Sequence, residues 1–163
     1  MKKIVLFLAI SLFLSHNLLA QAKTESSTIF AKSYNYVNDF EKILTSDQVK
    51  TLNDFLKSSE TKSKNKIVIV TTSSITPYAD LADYSLELDK YLMSNLKIDT
   101  SVLIVISKQL RQIRVQGTDK RTTKMSDQEI KDIVSAYIIP ELKKGDYYKG
   151  LLDGTHQLIK NLE

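Results

Sequence analysis

Few residues in this chain are equipped for chemistry, and most of those are carboxylates or cations. There is no cysteine, which removes thiol catalysis, cysteine-ligated zinc and redox exchange. Of the two histidines, His16 lies in the N-terminal apolar segment, leaving His156 alone. A two-histidine metal motif is thereby excluded, and a Ser-His-Asp triad would hang on one side chain. His156 falls between two stretches of a helical apolar stripe with no placed partner, which suits a boundary side chain better than a base.

The aspartates are more informative. A four-residue turn from Lys108 to Arg111 joins two strand-like segments, and antiparallel pairing across it sets Ser107 opposite Gln112 and Val102 opposite Gly117. Extending that ladder brings Asp99 and Thr100 beside Asp119 and Lys120. Carboxylate oxygens are hard ligands suited to Ca²⁺ or Mg²⁺, and a cation would offset the repulsion between two acids. The competing reading has Asp99 capping a turn and Asp119 solvated, the commoner fate of isolated aspartates. Around them Lys108, Arg111, Arg114, Lys120, Arg121 and Lys124 form a basic hairpin able to meet a phosphate, an anionic head group or an acidic protein. Such charges also protect an edge strand from aggregation, and no interleaved aromatics point to nucleic acid.

The elements that must position these residues follow from periodicity. Ile67–Val70 and Val102–Ile106 are short, β-branched and continuous, as expected of strands covered on both faces. Ile113 and Val115 alternate with Arg114 and Gln116, which reads as a half-exposed antiparallel edge. Thr45 with Gln48 and Ser126 with Glu129 have capping-box spacing and open two helices. The first carries Val49, Leu52, Phe55 and Leu56 and ends in the charged stretch Ser58 to Lys66. Between the buried strands Pro77 opens a helix with Leu81, Tyr84, Leu88, Tyr91 and Leu92 on one stripe. Ile130, Ile133, Val134 and Tyr137 form the next stripe, ended by Pro140, and Tyr148, Leu151, Leu152, Leu158 and Ile159 form the last. Tyrosines on these stripes, Tyr137 among them, are expected in the core. The fold class is α/β: a single α/β/α sandwich with a mixed, mostly parallel four-stranded sheet.

Lys2 and Lys3, the apolar run Ile4 to Leu14 and the small residues before Ala22 have the order of a secretory signal peptide. The run falls short of the ~20 apolar residues that span a bilayer. Cleavage there takes 22 of 163 residues, leaving 141, and with Lys2 and Lys3 gone the net charge falls from +4 to +2. The expected organisation is a signal peptide at 1–22, a polar linker at 23–33 and one domain at 34–163. The product is exported, periplasmic or secreted, with no further spanning segment.

Several strings in fixed order carry a family resemblance: Val37-Asn38-Asp39-Phe40, Ile67 to Thr71, Asp99 ahead of Val102-Leu103-Ile104, and Arg111 to Gln116. Ile138-Ile139-Pro140 and Gly145 to Leu151 continue the series. Together they resemble the TPM domain shared by a thylakoid-lumen protein, a photosystem II repair protein and a nematode receptor modulator. The resemblance implies a mixed sheet flanked by helices, divalent-metal binding in some members and acid phosphatase activity in the plant branch. It also adds Asp39, in the Val-Asn-Asp string, as a third candidate metal ligand beside Asp99 and Asp119. Two family elements are replaced: the usual Asp-Asn-Gly is Asp99-Thr100-Ser101, and the usual Gly-Tyr-Gly loop is Thr118-Asp119-Lys120. Lost glycines remove the backbone freedom that lets a loop close on an ion. The expected role is therefore a non-catalytic binding module of the envelope acting through a protein partner, with a metal-dependent acid phosphatase as the alternative.

Overall fold

Pairing of four short strands organises the domain Ser33–Glu163 in the computed structural model, which describes residues 29–117 and 125–162. The signal peptide at 1–22, most of the linker, and Asp119, Lys120, Arg121 and Lys124 lie outside the described residues. In chain order the elements are β1 (Val37–Asp39), α1 (Ser46–Ser63), β2 (Ile67–Thr71), α2 (Leu81–Leu96), β3 (Val102–Ser107) and β4 (Gln112–Gly117). Then come α3 (Asp127–Ile133), a π-helical turn (Val134–Ile138), α4 (Ile139–Lys143) and α5 (Tyr147–Leu162).

The sheet has the order β1-β2-β3-β4, with the first three strands parallel and β4 antiparallel to β3. Val102 pairs with Gly117 and Ser107 with Gln112, the register the short turn demands. Every residue of β2 and β3 is buried, as their unbroken apolar runs imply. On one face Leu52 and Leu56 of α1, Ile130 and Ile133 of α3, and Leu151 and Leu158 of α5 pack on Ile67, Ile69 and Ile104. Side chains alternate along a strand, so Val68, Val70, Leu103 and Val105 point to the other face, where α2 lies against β3 and β4.

Both capping boxes form, Thr45 with Gln48 and Ser126 with Glu129. Three helix boundaries differ from the periodicity. The first helix runs on to Ser63, where Lys64 turns left-handed at φ 63° and its N–H closes the last turn on the Glu60 carbonyl. Pro77 does not open α2; Asp80 does, its carboxylate accepting from Asp83 N at 2.8 Å. Pro140 does not end a helix either. Proline has no N–H to give and its ring crowds the carbonyl four residues back, and the π-helical turn just before it widens the path so that Ile139 N bonds Val134 O. The extra residue in that turn rotates Tyr137 outward, and it is 42% exposed rather than in the core.

Where α1 meets the sheet, Tyr36 donates to Glu60 at 2.6 Å and Lys66 donates to the same carboxylate oxygen at 2.9 Å. Partial burial pushes the Glu60 carboxyl up, but the bonds from Tyr36 and Lys66 and the charges of Lys66 and Lys64 outweigh it and hold the group below its ordinary value.

Candidate functional site

The chain leaves β1 for α1 on one face of the sheet and leaves β2 for α2 on the other. Loops that part in this way open a crevice beyond the carboxyl ends of the strands, the place where open α/β sheets bind ligands. The residues there are knit by two acids. Asp39, the last residue of β1, accepts from Ile43 N at 3.1 Å, Leu44 N at 2.9 Å and Thr71 Oγ1 at 2.6 Å. Glu41 N donates in turn to Thr71 Oγ1 at 3.0 Å, so the start of the β1–α1 loop hangs on one hydroxyl at the end of β2. The Glu41 carboxylate then crosses to the β3–β4 turn and accepts from Lys108 N at 2.8 Å and Gln109 N at 2.7 Å. Ser107 Oγ takes the next amide, Leu110 N, at 3.1 Å.

Around these bonds lies a crevice of about 690 Å³, walled by Lys42, Ser73, Lys108, Arg111 and Tyr147. Arg111 and Tyr147 also border an adjoining groove of about 560 Å³, with Ile113, Ile139 and Leu142 on its apolar side and Lys143 at its rim. Lys108 Nζ stands 5.7 Å from the Tyr147 ring centre, within cation–π range. Among the described residues none of Lys42, Lys108, Arg111 and Lys143 has a carboxylate within ion-pair distance, whereas Lys144 and Lys149 nearby are both paired.

Asp99 is at the opposite end of the sheet. It is exposed, ahead of β3, while Asp39 is level with Ile106 through Thr71. Val102 and Ile106 alone are separated by about 13 Å at strand rise. The parallel register thus keeps Asp39 away from Asp99, and the expected three-carboxylate set does not assemble with Asp39 in it. Asp119 lies outside the described residues, two positions beyond Gly117. What stands near Asp99 is Asp89 of α2, half-buried, accepting from Thr100 Oγ1 at 2.9 Å. Burial pushes the Asp89 carboxyl up and the Asp99 charge adds to it, with the Thr100 bond opposing. Asp89 also borders a cavity of about 350 Å³ together with Arg114, Asp127 and Lys131. Among the described residues no group of three or more His, Asp or Glu converges on a point.

Sequence reading missed Glu41 and Asp89. Asp89 had a signal, since it follows Ser85 by one helical turn on the edge of the α2 stripe, where a polar pair facing β4 needs partners. Ser85 finds Gln116 at 3.1 Å and Asp89 finds Thr100. Glu41 carried none, because its partners are backbone amides 67 and 68 residues away. His156 is exposed and lies over the Phe55 ring at 4.2 Å between centres, a surface contact.

The class of protein is thus an α/β domain with a parallel core sheet, one antiparallel edge and a cationic crevice at its carboxyl edge. The family model for the TPM domain matches residues 37–161, and the chain belongs to the TPM domain family. Among solved structures it resembles the N-terminal domain of a protein from P. gingivalis determined by NMR, at 25% identity, TM-score 0.68, covering 81% of this chain and 84% of that one. BA42 from Bizionia argentinensis, also an NMR structure, is similar at 22% identity and TM-score 0.60, over 76% of this chain and 83% of that one. The N-terminal domain of the Corynebacterium glutamicum cg2496 protein shares 14% identity at TM-score 0.59, over 82% and 90% of the two chains. No curated protein matches the chain significantly.

Proposed function

We propose that this chain is an exported, non-catalytic binding module of the TPM type that acts in the cell envelope through a protein partner. The observation that supports it most is the commitment of both acids at the carboxyl edge. Asp39 holds the β1–α1 turn and Glu41 holds the β3–β4 turn, so the carboxylates best placed for acid, base or metal work are occupied in joining loops. The remaining charged lining is cationic, which favours holding an anion. Export rests on the order of residues 1–22. Protein recovered outside the cytoplasm should begin near Lys23 by mass spectrometry, and a chain still starting at Met1 overturns that part. Among the described residues no helix is long and apolar enough to cross a membrane.

A metal-dependent acid phosphatase is the second reading, and one observation favours it. Asp89 is half-buried beside the Asp99 charge, a repulsion that Ca²⁺ or Mg²⁺ would relieve, with Asp119 two residues beyond Gly117 as a further ligand. The test pairs hydrolysis of an aryl phosphate at acid pH with melting of wild type and Asp99→Asn, each with and without excess cation. A ligand confined to the folded state adds about 2.7 kcal/mol at a hundred times its dissociation constant, several degrees for a domain of this size. The module reading expects no hydrolysis above buffer, whether or not the wild type melts higher with metal. Metal-dependent turnover that disappears in Asp99→Ala would establish the enzyme instead.

A further inference from the structure

We propose that the carboxyl-edge crevice and its adjoining groove bind an extended acidic peptide segment of a partner protein, with a carboxylate held by Lys42, Lys108 and Arg111 and a neighbouring apolar side chain laid against Ile113, Ile139 and Leu142. Charge carries the first half. Three cations without carboxylate partners among the described residues surround one acid, Glu41, whose two oxygens are already occupied by backbone amides, so the lining is net positive. An incoming carboxylate meets long, flexible donors at the rim, and Arg111 can receive it in bidentate fashion.

The same bonds decide between anions. Phosphate sites in α/β folds converge backbone N–H groups on the ligand. Here the amides of the β3–β4 turn are taken: Lys108 N and Gln109 N by Glu41, and Leu110 N by Ser107 Oγ. Side-chain cations remain, and they suit a carboxylate on a chain passing over them. Continuity carries the second half. Arg111 and Tyr147 border both the crevice and the groove, so an anionic group in one sits next to whatever fills the other. Lys143 at the groove rim offers a second acidic residue a partner. A concave, two-part site selects an inserted segment over a flat anionic membrane.

This inference rests on the binding-module reading and fails separately from it: phosphomonoester hydrolysis would overturn that reading, whereas the measurement below addresses the occupant. Fluorescence anisotropy of the full mature chain would use a labelled decapeptide alternating glutamate and leucine, one alternating lysine and leucine, and one alternating glutamate and serine. The glutamate-leucine peptide should bind, more weakly as salt rises, and Lys108→Glu combined with Arg111→Glu should lower its affinity by about tenfold or more through like-charge contact. The lysine peptide should not bind, and the glutamate-serine peptide should bind several-fold less tightly. Both substituted side chains are exposed, and backbone amide NMR spectra of the variant would verify the fold. The proposal is overturned if no peptide binds, if the double variant binds as well as wild type, or if the glutamate-serine peptide is equivalent. Millimolar inorganic phosphate displacing the peptide would reassign the site to a small anion. Binding only to phosphatidylglycerol vesicles would reassign it to lipid.

Discussion

Replacing Asp39 with alanine is expected to lower the stability of the domain by about 3 kcal/mol, read as a fall in the urea midpoint with an unchanged slope. The carboxylate is the shared acceptor for Ile43 N, Leu44 N and Thr71 Oγ1. Truncation strands three donors at once, two of them in a turn already held at positive φ by Lys42. Bonds to a charged group contribute about 1.5–3 kcal/mol each, and partial solvent access to the turn brings their sum down. Asp39→Asn should fall between, since its carbonyl oxygen keeps one or two of the bonds while its amide faces a donor. A free metal ligand behaves oppositely: removing it relieves charge, leaves apo-protein stability unchanged or raised, and abolishes a response to cation. An Asp39→Ala protein as stable as wild type would therefore return this residue to the ligand candidates.

Asp39 shows where sequence reading stops. Ile67–Thr71 and Val102–Ser107 announce themselves because burial on both faces demands unbroken apolar runs, and the β3–β4 register follows from turn length alone. Val37–Asp39 has three residues, too few for any period, so it stood out only through a family string. Its register with Thr71, and through it Ile106, decides that Asp39 lies at the carboxyl edge while Asp99 lies at the other. Periodicity reports the face a side chain takes; the end of the sheet it reaches depends on strand pairing. The same holds for Glu41, whose role depends on two amides of a distant turn. Local chemistry was legible where a capping-box pair marks both partners, as at Thr45 and Ser126, and not at Asp80, whose partner is a backbone amide with no residue type to signal it. The π-helical turn is a long-range compromise, set by Pro140 on one side and the packing of α5 on the other.

That packing supports the second large effect, a loss of about 2 kcal/mol on Gly154→Ala. Gly150 and Gly154 are one turn apart on α5, so they share the face laid against the π-helical turn and α4. A methyl group at Gly154 would overlap Ile138 Cγ1 and come within 2.6 Å of Ile138 Cδ1, and Ile138 is fully buried, so any shift it makes is into packed core. Alanine in a helix interior gains about 1 kcal/mol over glycine, so an unobstructed site would be stabilised. Overpacking a core costs about 1–3 kcal/mol, more when the obstructed atom is close to the backbone as Cγ1 is, and here the overlap prevails. Thermal melting should fall by several degrees. Ile138→Ala removes both obstructing atoms, leaving Cβ at 3.8 Å from the new methyl, an ordinary contact. Alone it costs about 3 kcal/mol in lost burial and cavity, but in combination with Gly154→Ala the total should be smaller than the sum by about 3 kcal/mol, the overlap relieved while the helix gain is kept. Additive losses would mean that the two residues do not touch in solution, and that α5 is held off the π-helical turn by something other than this contact.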